Sequence, residues 1–150
     1  MTSSVFLDIN VWLALSSSDH RHFESAWAWY RTLAPRTALL FCRITQLGLL
    51  RLLTTQSVMG PGTLTQAQAW EAYDRLLKAA GADYVDEPAG MESIFRSLSR
   101  SQQASPKDWA DAYLAAFAEA AGLTLVTFDR VLAGKVKGAV LLGLAFPSVD

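Results

Sequence analysis

The sequence predicts an α/β fold: a three-layer α/β/α sandwich around a central, mostly parallel sheet of four or five strands. Three observations predict it. Short apolar, β-branched runs alternate along the chain with segments of helical periodicity. Those runs are apolar almost throughout, as strands covered on both faces are. The chain has 150 residues, of which 51% are apolar and 18% charged, which suits one domain spanning 1–150 with a sizeable core.

The elements follow in order. Residues 4–9 read as a first strand, and 10–15 as a short helical segment. Asp19 stands where an N-cap belongs, before a helix over 20–34 that Pro35 ends. TALLF at 37–41 is a second buried strand. ITQLGLLRLLTTQ at 44–56 follows, with Ile44, Leu47, Leu50 and Leu53 at helical spacing. MGPG at 59–62 is a loop, after which Thr65 caps a helix running to about Ala80. ADYVD at 82–86 is the third strand, with a helix near 91–100 and a polar loop, SQQASP, at 101–106. Pro106 suits the first turn of a helix that Gly122 stops. LTLVTF at 123–128 is the fourth strand and AVLLGL at 139–144 a candidate fifth.

A formal net charge of −1 gives no long-range attraction to nucleic acid or an anionic membrane, so a nucleic-acid role requires a local basic patch or a metal. Cys42 is the single cysteine, which excludes an intramolecular disulfide and points to a reducing, cytoplasmic setting; it reads as a small buried residue. No basic stretch opens the chain in the manner of a signal peptide, and no apolar run is long enough to span a bilayer.

In open parallel sheets the ligand site lies beyond the carboxyl ends of the strands. Asp8 stands near the end of the first strand and Asp129 directly after the fourth. Asp111 lies in the first turns of the helix that feeds the fourth strand, with Asp108 one turn earlier on nearly the same face. Carboxylates gathered at one edge repel one another, and a hard cation, Mg²⁺ or Mn²⁺, relieves that repulsion. Each acid also has a structural explanation. Asp8 can bond backbone amides, Asp108 and Asp111 suit a helix N-terminus, and Asp129-Arg130 can be a strand-end turn. Asn10 reads as the N-cap that holds the strand-to-helix turn and aims Asp8.

FLDINVWLAL, ITQLGLLRLL, SPKDWADAYLAAFAEAAGL and LVTFDR together resemble the PIN-domain ribonucleases, in particular the VapC-type toxins of bacterial toxin–antitoxin pairs. The resemblance is strong at both ends of the chain and weak between about 55 and 100. It implies that Asp8, Asp111 and Asp129 are the metal-binding, catalytic acids of a Mg²⁺-dependent endoribonuclease, with Asn10, Gln46 and Thr127 supporting them; Asp108, from its place one turn before Asp111 and not from the resemblance, reads as a further supporting acid. It also implies an RNA substrate, a cognate antitoxin and a homodimer. Many members carry a glutamate where this chain has Gln46, which keeps a carbonyl oxygen and loses the charge. That departure motivates an alternative: a PIN fold that no longer cleaves and acts through protein or RNA contacts. A haloacid-dehalogenase-like phosphatase also opens on an aspartate after its first strand, but it needs a second aspartate where this chain has Asn10.

Other residues carry less. His20 and His22, two apart, would point to different sides of a helix and read as loop or surface residues. Trp12, Trp27, Trp29, Tyr30, Trp70, Trp109 and Tyr113 read mostly as core. Arg43, Arg51, Lys135 and Lys137 are the nearest approach to a basic set.

Overall fold

The computed structural model describes residues 3–143. In chain order it contains β1 (Ser4–Leu7), α1 (Ile9–Ser16), α2 (Phe23–Tyr30), β2 (Ala38–Phe41), α3 (Arg43–Leu53) and α4 (Gln56–Met59). A 3-10 turn at Gly60–Gly62 leads into α5 (Gln66–Ala79), β3 (Ala82–Tyr84), α6 (Met91–Leu98), α7 (Asp108–Ala121), β4 (Thr124–Thr127), α8 (Arg130–Ala133) and β5 (Val140–Leu141). The strands form one sheet in the order β3-β2-β1-β4-β5, every pair parallel. The expected α/β/α sandwich is therefore present with five strands.

β1 lies at the centre, with Val5 opposite both Leu39 of β2 and Thr124 of β4. Successive side chains of a strand point to opposite faces. Val5 and Leu7 accordingly pack into a core with Val11, Trp12, Leu49, Leu53 and Leu76, beneath α1, α3 and α5. Phe6 points the other way, into a second core with Leu40, Met91, Leu114, Phe117 and Leu132. A stacked aromatic pair anchors each side: Trp12 on Phe41 with ring centroids 3.6 Å apart, and Phe6 on Phe117 at 4.7 Å. Removing a buried aromatic ring of this kind costs about 3–5 kcal/mol. Cys42 is buried at the end of β2, as expected.

Two glycines have structural reasons. Gly122 takes the left-handed conformation (φ 66°) that ends α7 where the sequence predicts. Gly48 lets α3 approach α1, because a β-carbon there would stand 2.3 Å from Cδ1 of Ile9. Thr65 caps α5 in a full capping box with Gln68, again as predicted.

Several elements differ from expectation. β1 stops at Leu7, so Asp8 with its extended backbone (φ −64°, ψ 156°) is the N-cap of α1, and Asn10 lies inside the helix and exposed. Asp19 caps nothing: 18–22 form turns and α2 begins at Phe23. α3 is helical as predicted but turns a different face inward. Thr45, Gln46, Leu49 and Leu53 are buried, whereas Ile44 and Leu47 are 39% and 55% exposed. Pro106 sits in a turn before α7 rather than within its first turn. The one-turn helices α4 and α8 carry too little sequence to show a period. Of the predicted fifth strand, only Val140–Leu141 pair, and residue 144 lies outside the described residues. No helix among the described residues is long and apolar enough to cross a membrane.

Candidate active site

β1 and β4 are neighbours, so their carboxyl ends open on one edge of the sheet. Asp8 follows β1 directly, and its backbone N–H donates to the Val126 carbonyl (3.0 Å), extending the ladder by one residue. Its carboxylate is held from both sides. Oδ1 accepts the Ile9 N–H at 2.7 Å, and Oδ2 accepts the Thr127 hydroxyl at 2.9 Å. Thr127, the last residue of β4, is fully buried. Its Oγ1 also accepts the Asp129 N–H at 2.9 Å, so one hydroxyl fixes two acids relative to each other.

Asp129 caps α8 as Asp8 caps α1, its Oδ1 accepting the N–H groups of Val131 (2.8 Å) and Leu132 (3.3 Å). Its other oxygen has no hydrogen-bond partner among the described residues. Asp111 lies half-buried in the first turn of α7, and no hydrogen bond reaches its carboxylate among the described residues. Asp108, one turn earlier and exposed, accepts the Ser105 hydroxyl at 2.5 Å.

The electrostatics tie these acids together. Burial pushes the Asp8 carboxyl above the usual carboxylate range. The Thr127 and Ile9 donors oppose the rise and the Asp129 charge adds to it. Asp111 is raised by burial first, then by Asp129 and Asp8, with Lys135 opposing and Asp108 adding. No ion pair reaches any of the three acids; the single ion pair among the described residues is Arg96 with Glu92, on exposed α6. A carboxyl whose folded pKa lies above its unfolded value loses stability as pH rises through that interval and carries the full penalty above it. The edge therefore holds mutually repelling charge that the protein itself leaves uncompensated.

The donor set is all oxygen, which suits a hard divalent cation. As placed, no three His, Cys, Asp or Glu side chains among the described residues are grouped so as to hold a metal ion. Mg²⁺ retains several waters and takes only one or two carboxylates directly, so the unbonded Asp111 carboxylate and the free oxygen of Asp129 suit a partly hydrated ion.

The remaining predicted residues fall in different places. Thr127 stands between the acids. Gln46 is buried on the inner face of α3, its Oε1 accepting Arg43 Nη1 at 2.5 Å, and no hydrogen bond joins it to the acids. The Arg43 guanidinium lies over the Tyr84 ring, 4.7 Å from its centroid. Asn10 does not touch Asp8 by any hydrogen bond; it lines a depression with His20, Arg21, His22, Phe128 and Asp129. His22, expected at the surface, is buried to 8% exposure because its ring stacks on Phe128 at 4.3 Å. Of the aromatics expected in the core, Trp70 and Trp109 are 48% and 59% exposed. Lys135 acts on Asp111, whereas Arg51 and Lys137 stand exposed. Arg21 and Phe128 were not singled out by the sequence reading. The only local sign was the His-Arg-His run, which a loop folds together as a helix would not.

Comparison with known proteins agrees with this fold. The family model described as the PIN domain matches residues 5–137. Ribonuclease VapC41 of Mycobacterium tuberculosis is 44% identical over 130 residues, covering 81% of this chain and 86% of that protein. Ribonuclease VapC44 of the same organism is 36% identical over 129 residues, covering 85% and 87%. Among solved structures, VapBC2 of Rickettsia felis, bound to a DNA fragment from their promoter, superposes with a TM-score of 0.65 at 16% identity, covering 93% of this chain and 98% of that one. Mycobacterium tuberculosis VapC20, described as a Sarcin-Ricin loop cleaving toxin, superposes with a TM-score of 0.62 at 14% identity, covering 87% and 93%. At those identities the superpositions bear on the fold alone.

Proposed function

The chain belongs to the PIN-domain family, and from that premise we propose that it is a divalent-metal-dependent endoribonuclease, the toxin of a toxin–antitoxin pair acting in the cytoplasm. The observation that carries the reading is the β1–β4 edge, where burial and the Asp129 charge raise the proton affinity of Asp8 and of Asp111, Asp8 adds to the rise at Asp111, and no ion pair among the described residues reaches these acids. Asp8, Asp111 and Asp129 would hold Mg²⁺ or Mn²⁺, which when bound polarises a phosphodiester and lowers the pKa of coordinated water.

The chain's own residues do the rest. Thr127 donates to Asp8, which orients that carboxyl and opposes the rise in proton affinity that its burial brings. The first N–H groups of α8 fix one oxygen of Asp129 and leave the other toward solvent-accessible space. The N-terminal turn of α7 delivers Asp111 to the same edge, where its positive dipole end favours the charge. Asp108, tied to Ser105, adds negative charge one turn away.

Relatives named Ribonuclease VapC, 44% and 36% identical, support RNA as substrate and a cognate antitoxin as partner. A homodimer is part of the same proposal. The test is cleavage of labelled RNA by the purified protein. Mg²⁺ or Mn²⁺ supports cleavage and EDTA stops it. Asp8→Asn and Asp111→Asn each lower the rate by at least about 100-fold, as expected when a group worth several kcal/mol to the transition state is lost. Cleavage that persists in EDTA, or in either variant, overturns the assignment.

A further inference from the structure

Beside the acid edge lies a second polar recess that the proposed reaction does not use. It is a cavity of about 390 Å³ lined by Asn10, His20, Arg21, His22, Phe128 and Asp129. That volume falls in the range of small-ligand sites, and Asp129 is the wall it shares with the acids.

Its donors are held in place. His22 is buried and stacked on Phe128 at 4.3 Å with an interplanar angle of 18°. Its Nε2 accepts the Arg21 Nε–H at 3.1 Å. A ring nitrogen that accepts carries no proton, so the His22 proton sits on Nδ1, which is buried without a partner. A polar group left unpaired in this way opposes folding. The arrangement thus costs stability, and what it secures is the Arg21 side chain. With Nε tied to His22, the guanidinium keeps both terminal nitrogens free in a fixed fork, the geometry that takes two oxygens of a phosphate.

His20 completes the loop. Its Nδ1 accepts the His22 backbone N–H at 3.0 Å, which leaves Nε2–H as a further donor. Burial lowers the proton affinity of both histidines, and the Arg21 charge lowers it further. The recess is therefore rich in donors, with Arg21 as its cation, against an edge that is otherwise anionic.

We propose that this recess is a phosphate subsite, in which Arg21 takes the phosphodiester next to the one cleaved and His22 positions Arg21 for it. The inference rests on the nuclease reading, because an RNA strand crossing the acid edge brings its neighbouring phosphate to the adjoining wall. A carboxylate edge repels a polyanion, and a preset cation one phosphate away offsets that repulsion before chemistry begins.

The experiment measures binding separately from cleavage. A labelled single-stranded RNA of about 20 nucleotides is titrated with protein in EDTA by fluorescence anisotropy across a series of salt concentrations. Arg21→Ala is expected to weaken binding and reduce the salt slope, log Kd against log salt, by about 0.7, the contribution of one phosphate contact on a single strand. Arg21→Lys restores the slope but not the full affinity, since a point charge replaces the fork. In Mg²⁺, His22→Leu raises KM while kcat holds, and His22→Gln, which keeps an acceptor for Arg21, recovers most of the KM. An Arg21→Ala protein with unchanged slope and affinity overturns the subsite while leaving the nuclease standing. A wild-type protein that neither binds nor cleaves RNA overturns both.

Discussion

The two halves of the sheet's carboxyl edge solve the same problem in opposite ways. Both stand where strands end and helices begin, so both expose groups that need partners. On the β2–β3 half, Gln46 is neutral, its carbonyl takes Arg43, and Arg43 lies over Tyr84. Amide, cation and ring satisfy one another there. On the β1–β4 half, three carboxylates share space with Thr127, and Lys135 is the one cation whose charge opposes the rise at Asp111. The difference teaches where the protein has left electrostatic work undone. A hard cation on the β1–β4 half relieves repulsion, whereas on the β2–β3 half it displaces a settled arrangement.

The largest effect that breaks the comparison is expected from Asp8→Asn. Removing a buried charge whose proton affinity is raised by its folded surroundings stabilises the protein above the interval between the unfolded and folded pKa values. A gain of roughly 1 kcal/mol appears as a rise in Tm of about 2–4 °C near neutral pH, and it shrinks as acid protonates the wild-type group. Cleavage falls in the same variant. Stability and activity moving in opposite directions mark a site built for a ligand, and calorimetry beside the RNA assay checks it. A fall in Tm would mean that Asp8 is a structural acid.

Thr127→Val is expected to act next most strongly. It deletes the donor to Asp8 and leaves shape almost unchanged, removing a charge-assisted hydrogen bond of about 1.5–3 kcal/mol. The Asp8 carboxyl rises further, so less of it is ionised at a given pH. The acid limb of the pH–rate profile shifts upward and the plateau rate falls by about tenfold or more. A profile that keeps its position would show that Thr127 only packs.

The smallest effect is expected from Gln46→Glu, which tests the settled half. The introduced carboxylate stands within reach of Arg43 and pairs with it, so cleavage changes by less than about fivefold. If the wild type is inert with every metal and this substitution alone brings cleavage, the reading as a binding module gains.

Much of this was legible in the chain because local patterns and global fold agree. Apolar runs at 37–41 and 123–128 are strands, Thr65 caps, and Gly122 stops a helix, each for a reason contained in a few residues. What was not legible depended on choices among equals. Leucines line more than one face of α3, so spacing identified a helix but not that Leu49 and Leu53, rather than Ile44 and Leu47, turn inward. Asp8 and Asn10 are both competent caps, and β1 stopping at Leu7 decided between them. The places of Asp8 and Asp129 after β1 and β4, and of Asp111 in the first turn of α7, could be read from the sequence. The burial of His22 could not, because its partner Phe128 lies 106 residues away in order and adjacent in space.

The hydrogen bond from Thr127 to Asp8 spans 119 residues of chain, and that sets a timetable for synthesis. β1 leaves the ribosome early but lacks one of its two neighbours until β4 follows. Until residue 127 is added, the nascent chain carries its first acid without the hydroxyl that holds it. A chain broken off before residue 124 has no β1–β4 edge at all. For the nuclease proposed above, this order withholds the assembled acid edge until synthesis is nearly complete.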